Sequence, residues 1–178
     1  MRFGGIVLAA ALLLGACSSD PAPKEPTGTP STSSTPPARA VPTMPAQASE
    51  DSSEGAAAFV KHYVDVFNYA AATGDVDELS RLSSPDCEGC QSYIKLYKDT
   101  YEAGGYFKDS DWKIGDIKLA SSDTEFRAST EVESGGGRFR TNKDAPEKVS
   151  AEDMTTLTFI VLRQPSSRQI TRLALGDA

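Results

Sequence analysis

Proline placement divides this chain before any motif is read. Eight of the 11 prolines, at positions 21, 23, 26, 30, 36, 37, 42 and 45, lie ahead of residue 50. Each proline fixes its own φ and removes a backbone donor, so so dense a run supplies neither a helix interior nor a central strand. From Ser18 to Ser53 there is also no aromatic residue and no apolar period. Such a stretch cannot bury enough surface to offset the entropy of ordering, and it reads as a disordered tether. As polyproline II its 36 residues would reach on the order of 110 Å, and as a flexible coil ~35 Å. The part left to fold runs from Glu54 to Ala178, about 125 residues, enough for one core and one domain. It holds 15 Lys and Arg against 21 Asp and Glu, and the whole chain has a formal charge of -7. A phosphate backbone would be repelled, which disfavours nucleic-acid binding.

The first twenty residues carry an address. Arg2 supplies a positive charge, and Gly4 to Gly15 is an almost unbroken apolar run, too short for the roughly 20 residues that span a bilayer. A basic start, a short apolar run and small residues before a break have the plan of an export signal. The break, Leu14-Gly15-Ala16-Cys17, resembles the lipobox of bacterial lipoproteins. That resemblance implies a signal peptide over 1–16 and a diacylglyceryl thioether on Cys17, which becomes the new N-terminus. The membrane is then a partner through lipidated Cys17, and the domain is extracytoplasmic, anchored to the cell membrane without spanning it. Residues 17–53 become its spacer. Thr35-Pro36-Pro37-Ala38 would alternatively suit a groove as a proline-rich docking ligand.

In the folded part, Phe59, Val60, Tyr63, Val64, Phe67, Ala70 and Ala71 recur at helical spacing, with Lys61, Asp65 and Asn68 on the other face. The pattern predicts a helix over 56–73, capped by Gly74. Asp75 and Glu78 form a capping box for a short second helix, and Pro85 suits the first position of a third, striped by Cys90, Ile94, Tyr97 and Tyr101. After Gly104-Gly105 the period becomes 2. Trp112 to Leu119 reads as a strand with a bulge at Gly115-Asp116, and 124–133 as a half-buried strand. The glycines 135–137 turn it back into 138–141, with arginines facing glutamates across the ladder. Met154 to Arg163 reads as a central strand, and Gln169 to Leu175 closes the sheet.

Three helices followed by four antiparallel strands is an α+β layout. With Ala71-Ala72-Thr73-Gly74-Asp75, it resembles the NTF2-like (cystatin-like, SnoaL-like) cone, in which a curved sheet wraps a long N-terminal helix. The lipobox, the tether, Cys87-Glu88-Gly89-Cys90 and Gly104-Gly105-Tyr106-Phe107 together resemble a family of uncharacterised actinobacterial lipoproteins. The resemblance implies a fold and brings no activity with it.

Cys87 and Cys90 are the pair left once Cys17 is lipidated, and at i and i+3 they fall within disulfide reach. A structural staple is the expected role. A thiol-disulfide redox site is the alternative, against which stand the flanking Asp86 and Glu88, whose charge disfavours a thiolate. His62, with Asp65 three residues on, could act as a general base, although a histidine on a helix flank is expected to face solvent. One CxxC and one distant histidine leave a zinc site short of a ligand, and no EF-hand run is present, so no metal is expected. No P-loop, dinucleotide fingerprint or nucleophile elbow is present, and no cofactor is expected either. Tyr63, Phe67, Tyr97, Tyr101, Trp112 and Phe159 are the candidate pocket lining, with core packing as the alternative. The expected function is a non-catalytic module that binds a small apolar ligand or an envelope protein. A SnoaL-like enzyme using His62 or a buried carboxylate is the second reading and gains weight if His62 is buried. The CxxC redox module is the third.

Overall fold

The computed structural model describes residues 39–163 and 168–176. The expected signal peptide, the expected lipid site Cys17 and the tether as far as Ala38 lie outside the described residues.

Ser52 opens the first helix. Its Oγ accepts from the Gly55 amide, and α1 (Ser53–Thr73) follows. Gly74 ends it in the left-handed region at φ 76°, as the Thr-Gly-Asp sequence implies. Between Phe59 and Ala71 only Lys61 and Asp65 are exposed. Asn68 and His62, expected on the wet side, are both buried. The reason is tertiary: α1 is packed by the turn at Ala46–Ser49, by both later helices and by three strands, which leaves it one narrow solvent stripe.

Helix α2 (Asp77–Arg81) starts later than the expected capping box. Asp75 Oδ1 accepts from the Asp77 amide, while Glu78 is held by Arg81, whose Nε donates to it at 2.7 Å. Helix α3 (Glu88–Glu102) also starts late. Pro85 lies in a turn closed by Cys87 N–H donating to Ser84 O, so Cys87 and not Ser84 is the cap.

The strands are β1 (Tyr106–Lys108), β2 (Lys113–Ile114), β3 (Lys118–Ser121), β4 (Glu125–Ser134), β5 (Arg138–Arg140), β6 (Lys148–Val149), β7 (Asp153–Leu162) and β8 (Ile170–Leu175). Instead of one four-stranded sheet, the described residues form two antiparallel ones. The larger has the order β2-β4-β7-β8, with β3 also on β4, and β7 is central as its two-sided apolar sequence implies. The bulge expected at Gly115-Asp116 is a full break. It separates β2 and β3, which pair with different parts of the same face-edge of β4. The smaller sheet has the order β1-β5-β6.

The expected hairpin between β4 and β5 does not form. β7 pairs with β4 along its whole length, and β2 and β3 take its other edge, so no edge remains for 138–140. The glycine run lets the chain cross over instead. Gly135 has φ 97°, and a Cβ there would collide with Ala151 O, so the crossing needs a glycine. Arg138 consequently meets Asp109 at 3.2 Å rather than a β4 glutamate.

The folded part also begins earlier than Glu54. Ala48 is 1% exposed in a 3-10 turn over Ala46–Ser49, and Met44 packs on the core. Buried Arg168 holds this strap, its Nη1 donating to Ala48 O at 2.9 Å and its Nη2 to Glu50 O at 2.7 Å. Arg163 donates to Asp51 at 3.0 Å, and Arg39 to Asp111 at 2.9 Å. These holding residues lie far along the chain from the strap, which is why local composition reads 39–53 as tether.

Candidate functional site

Cys87 and Cys90 are bonded to each other, with Cα atoms 5.2 Å apart, and both are 1% exposed. The bond lies in the first turn of α3, which rests directly on β8. A Cβ at Gly89 would run into Leu173 O, so Glu88-Gly89 between the cysteines serves the close approach. A disulfide buried this far presents no sulfur to an attacking thiolate, which supports the staple over the redox reading.

His62 is 2% exposed and its Nε2 has no partner. Burial lowers its pKa, while Glu78 and Asp65 pull the other way. The charges of Glu78 and Arg81 on α2 act on it, and it lines neither the cleft around Trp112 nor the polar clefts beside β3 and at the start of α3.

The six expected pocket aromatics divide into three groups. Tyr63 and Phe159 meet edge-on at 6.1 Å inside the core, both fully buried. The Tyr63 hydroxyl lies 3.0 Å from Ser83 Oγ, and burial pushes its pKa up to about 12. Tyr101 donates to Ala71 O at 2.8 Å and ties α3 to the end of α1. Neither group lines the cleft around Trp112. Phe67 is the hub of the third: Trp112 stacks on it at 3.9 Å, and Tyr93 and Tyr97 meet it edge-on at 4.9 and 5.3 Å.

This third cluster opens outward. Tyr93, Tyr97 and Trp112, together with Phe107 and Phe139, wall a cleft of about 210 Å³ whose rim includes exposed Leu96. Phe107 and Phe139 are cross-strand partners on β1 and β5, stacked at 5.9 Å. The floor is the crossing of two links between the sheets, where Gly136 N–H donates to Ser150 O at 3.1 Å and Ser150 N–H to Gly137 O at 2.9 Å. Asn68 positions the tryptophan: its Nδ2 donates to Trp112 O at 2.9 Å, and Trp112 N–H donates to its Oδ1 at 2.8 Å.

In the residues that line this cleft, the hydroxyls of Tyr93, Tyr97, Ser110 and Ser134 and the indole N–H of Trp112 have no hydrogen-bond partner among the described residues. Tyr97 is the most telling, being only 5% exposed. Burial, reinforced by neighbouring Tyr93, raises its pKa far above the ordinary tyrosine value, so it acts as a donor and not as a base. Sequence reasoning reached Tyr97 and Trp112 but missed Phe107 and Phe139 as lining. Their Arg-Phe-Arg and Tyr-Phe-Lys settings carry an alternating pattern, yet only the β1–β5 register puts the two rings on one wall.

Among the described residues no group of three His, Cys, Asp or Glu side chains is placed to hold a metal ion, and no helix is long and apolar enough to cross a membrane.

The chain belongs to a family described as a family of unknown function, DUF6318, which matches residues 26–163. No curated protein sequence matches it. Among solved structures, the intermembrane space region of the chloroplast protein ARC6 is similar with a TM-score of 0.52 at 12% identity, over 71% of this chain and 98% of that one. This likeness is one of fold. A structure designated Rd1NTF2_05 has a TM-score of 0.45 at 14% identity, over 69% of this chain and 97% of its own.

Proposed function

We propose that this protein is a cell-envelope lipoprotein, held to the membrane through a diacylglyceryl group on Cys17, whose NTF2-like cone binds a ligand in the aromatic cleft and has no turnover of its own. The observation that carries the reading is the cleft wall: the rings of Tyr93, Tyr97, Phe107, Trp112 and Phe139, with a few polar groups among them that have no partner among the described residues. Apolar walls with a few convergent polar groups are the make-up of a small-molecule or peptide site. The lining contains no histidine and no carboxylate. Acid-base catalysis needs a base within hydrogen-bond reach of its proton, and a tyrosine with a raised pKa does not supply one. The anchor rests on Leu14-Gly15-Ala16-Cys17 and the polar tract after it.

The enzyme reading keeps one specific observation in its favour, buried His62 with its unpaired Nε2. It requires a substrate path to that nitrogen, and the aromatic cleft does not provide it.

Trp112 is the only tryptophan in the chain, so it reports on the cleft directly. Titration with 8-anilinonaphthalene-1-sulfonate should give saturable energy transfer from Trp112. Leu96→Asp on the exposed rim should weaken it, and His62→Ala should leave it unchanged. Non-saturable uptake, or equal binding by Leu96→Asp, would refute the site. Loss of a metabolite conversion in His62→Ala would put the enzyme reading in its place. Cys17→Ala should release the chain from the membrane fraction of a cell with a lipoprotein pathway.

A further inference from the structure

The smaller sheet gathers cations on an otherwise acidic domain. The eight residues of β1, β5 and β6 include Lys108, Arg138, Arg140 and Lys148 and no acid. With the flanking turns (residues 103–111 and 138–149) and Arg39, the region holds six basic side chains against four carboxylates. The rest of residues 39–178 holds 10 against 19. All four carboxylates of the region are engaged: Asp109 with Arg138 at 3.2 Å, Asp111 with Arg39 at 2.9 Å, Asp144 with Lys143 at 3.5 Å, and Glu147 with the Tyr106 hydroxyl. Lys108, Arg140 and Lys148 have no carboxylate partner among the described residues.

Strand register puts most of these charges on one face. Tyr106 lies opposite Arg140, and Arg138 lies between Lys108 and Val149. Phe107 and Phe139 take the other face and line the aromatic cleft. On the outward face the Tyr106 ring holds two cations, Lys108 Nζ at 4.3 Å from its centroid and the Arg140 guanidinium at 4.9 Å. Its π-face offsets part of their mutual repulsion. Val149 stands beside them, 71% exposed. Cations around a half-buried tyrosine and an exposed aliphatic side chain match a layer that is anionic at its surface and apolar beneath, the make-up of a phospholipid headgroup region.

The point at which the chain enters the domain selects that partner over a soluble one. Arg39, where the described chain begins, lines one cleft of about 430 Å³ with Lys108, Asp109, Asp111 and Arg138. The connection back to Cys17 therefore joins the domain at the border of the basic face. As a coil, the 22 residues from Cys17 to Ala38 would span roughly 26 Å, so a lipid on Cys17 keeps this border within reach of the headgroups. Docking is then intramolecular, and a small excess of positive charge suffices. Acidic groups at the β3–β4 turn, a strand's length away, are screened over a Debye length of about 8 Å.

We infer that the outward face of the β1–β5–β6 sheet docks on the anionic headgroup surface of the membrane that carries the chain. This rests on the anchoring part of the reading above.

The test uses the mature, acylated full chain reconstituted in vesicles. Cys87 and Cys90 are bonded to each other and Cys17 carries the lipid, so one added cysteine takes a fluorophore alone. One label goes on Val149→Cys and the other on Asp123→Cys, in the exposed turn at the far end of β4. Quenching by a headgroup-labelled lipid is read at each. In phosphatidylcholine vesicles with about one-third phosphatidylglycerol, quenching at 149 should exceed that at 123 at least about threefold. The excess should vanish in pure phosphatidylcholine and in about 1 M salt. Lys108→Gln, Lys143→Gln and Lys148→Gln, all at exposed positions, should each lower the docked-to-undocked ratio about fivefold. Equal quenching at the two sites would leave the face to a soluble acidic partner and overturn the inference, as would an excess that survives in pure phosphatidylcholine. A chain isolated without an acyl group would overturn the anchoring reading instead. That chain is then sedimented with the same vesicles: the docking face stands if it pellets with the anionic ones until salt or the three lysine changes release it, and falls if it does not.

Discussion

Asn68→Ala should loosen the cleft wall and lower stability together. The Asn68 amide plays the part of a neighbouring strand, donating to Trp112 O at 2.9 Å and accepting from Trp112 N–H at 2.8 Å. Two neutral hydrogen bonds contribute about 1 kcal/mol each, and the half-buried Trp112 N–H and C=O lose their partner as well, so a loss of about 2–3 kcal/mol is expected. For a domain of this size that is a fall in melting temperature of roughly 6–15 °C. Circular dichroism measures the fall. Acrylamide quenching of the single tryptophan should rise in the same variant, because Trp112 is stacked on Phe67 only while its backbone is held. Asn68→Asp separates the two bonds. Its carboxylate still accepts from Trp112 N–H but faces Trp112 O with a negative charge, so its folded-state pKa is raised. The variant should therefore regain stability as pH falls, when the protonated acid donates again. If Asn68→Ala melts within about 2 °C of the parent with unchanged quenching, the amide does not hold the wall and the reasoning fails.

Burial holds the folded-state pKa of His62 below the ordinary 6.5. The unfolded chain then takes up the proton first, so its contribution is full above pH 6.5, declines as pH falls toward the folded-state value, and levels off below it. Urea midpoints at about pH 7.5 and about pH 5 should converge in His62→Gln relative to the parent; parallel shifts would count against it. Changing Cys87 and Cys90 to serine should cost about 2 kcal/mol and leave the domain folded, as so short a loop constrains the unfolded chain little. Global unfolding by circular dichroism would contradict that. Arg168→Met keeps the aliphatic stem and removes the donors to Ala48 and Glu50, so amide protection around Ala48 should fall while that of β7 is retained. Unchanged exchange at Ala48 would show that the strap is held without the guanidinium.

How much was legible in the sequence depended on range. The body of the long helix, its glycine end, the Cys87–Cys90 bond and the central position of 153–162 all follow from neighbours within a few residues. The helix start lies three residues ahead of the expected 56, at the Ser52 cap that the apolar period does not register. A glycine end is set within one turn, and an apolar run on both faces needs no partner to identify it. The separation of β2 from β3 was half legible: Gly115-Asp116 marked the irregularity, but only pairing with β4 showed it to be a break.

What the tertiary structure alone decided was partnership. The 138–140 strand reads as a hairpin return because the nearest open edge in sequence is β4, yet β2, β3 and β7 occupy both edges of that strand. Asn68 and Lys61 look equivalent on a helical wheel, and they differ because Trp112, 44 residues on, brings its backbone to one and not to the other. The strap at 46–51 carries no apolar period of its own and is ordered by Arg168 and Arg163, more than 110 residues away. The cleft has the same origin. Its wall combines rings from α3, β1 and β5 with Trp112, and each reads as an ordinary core-side aromatic of its own segment. Composition and periodicity determine which residues leave water; only the closing of long loops determines which of them meet.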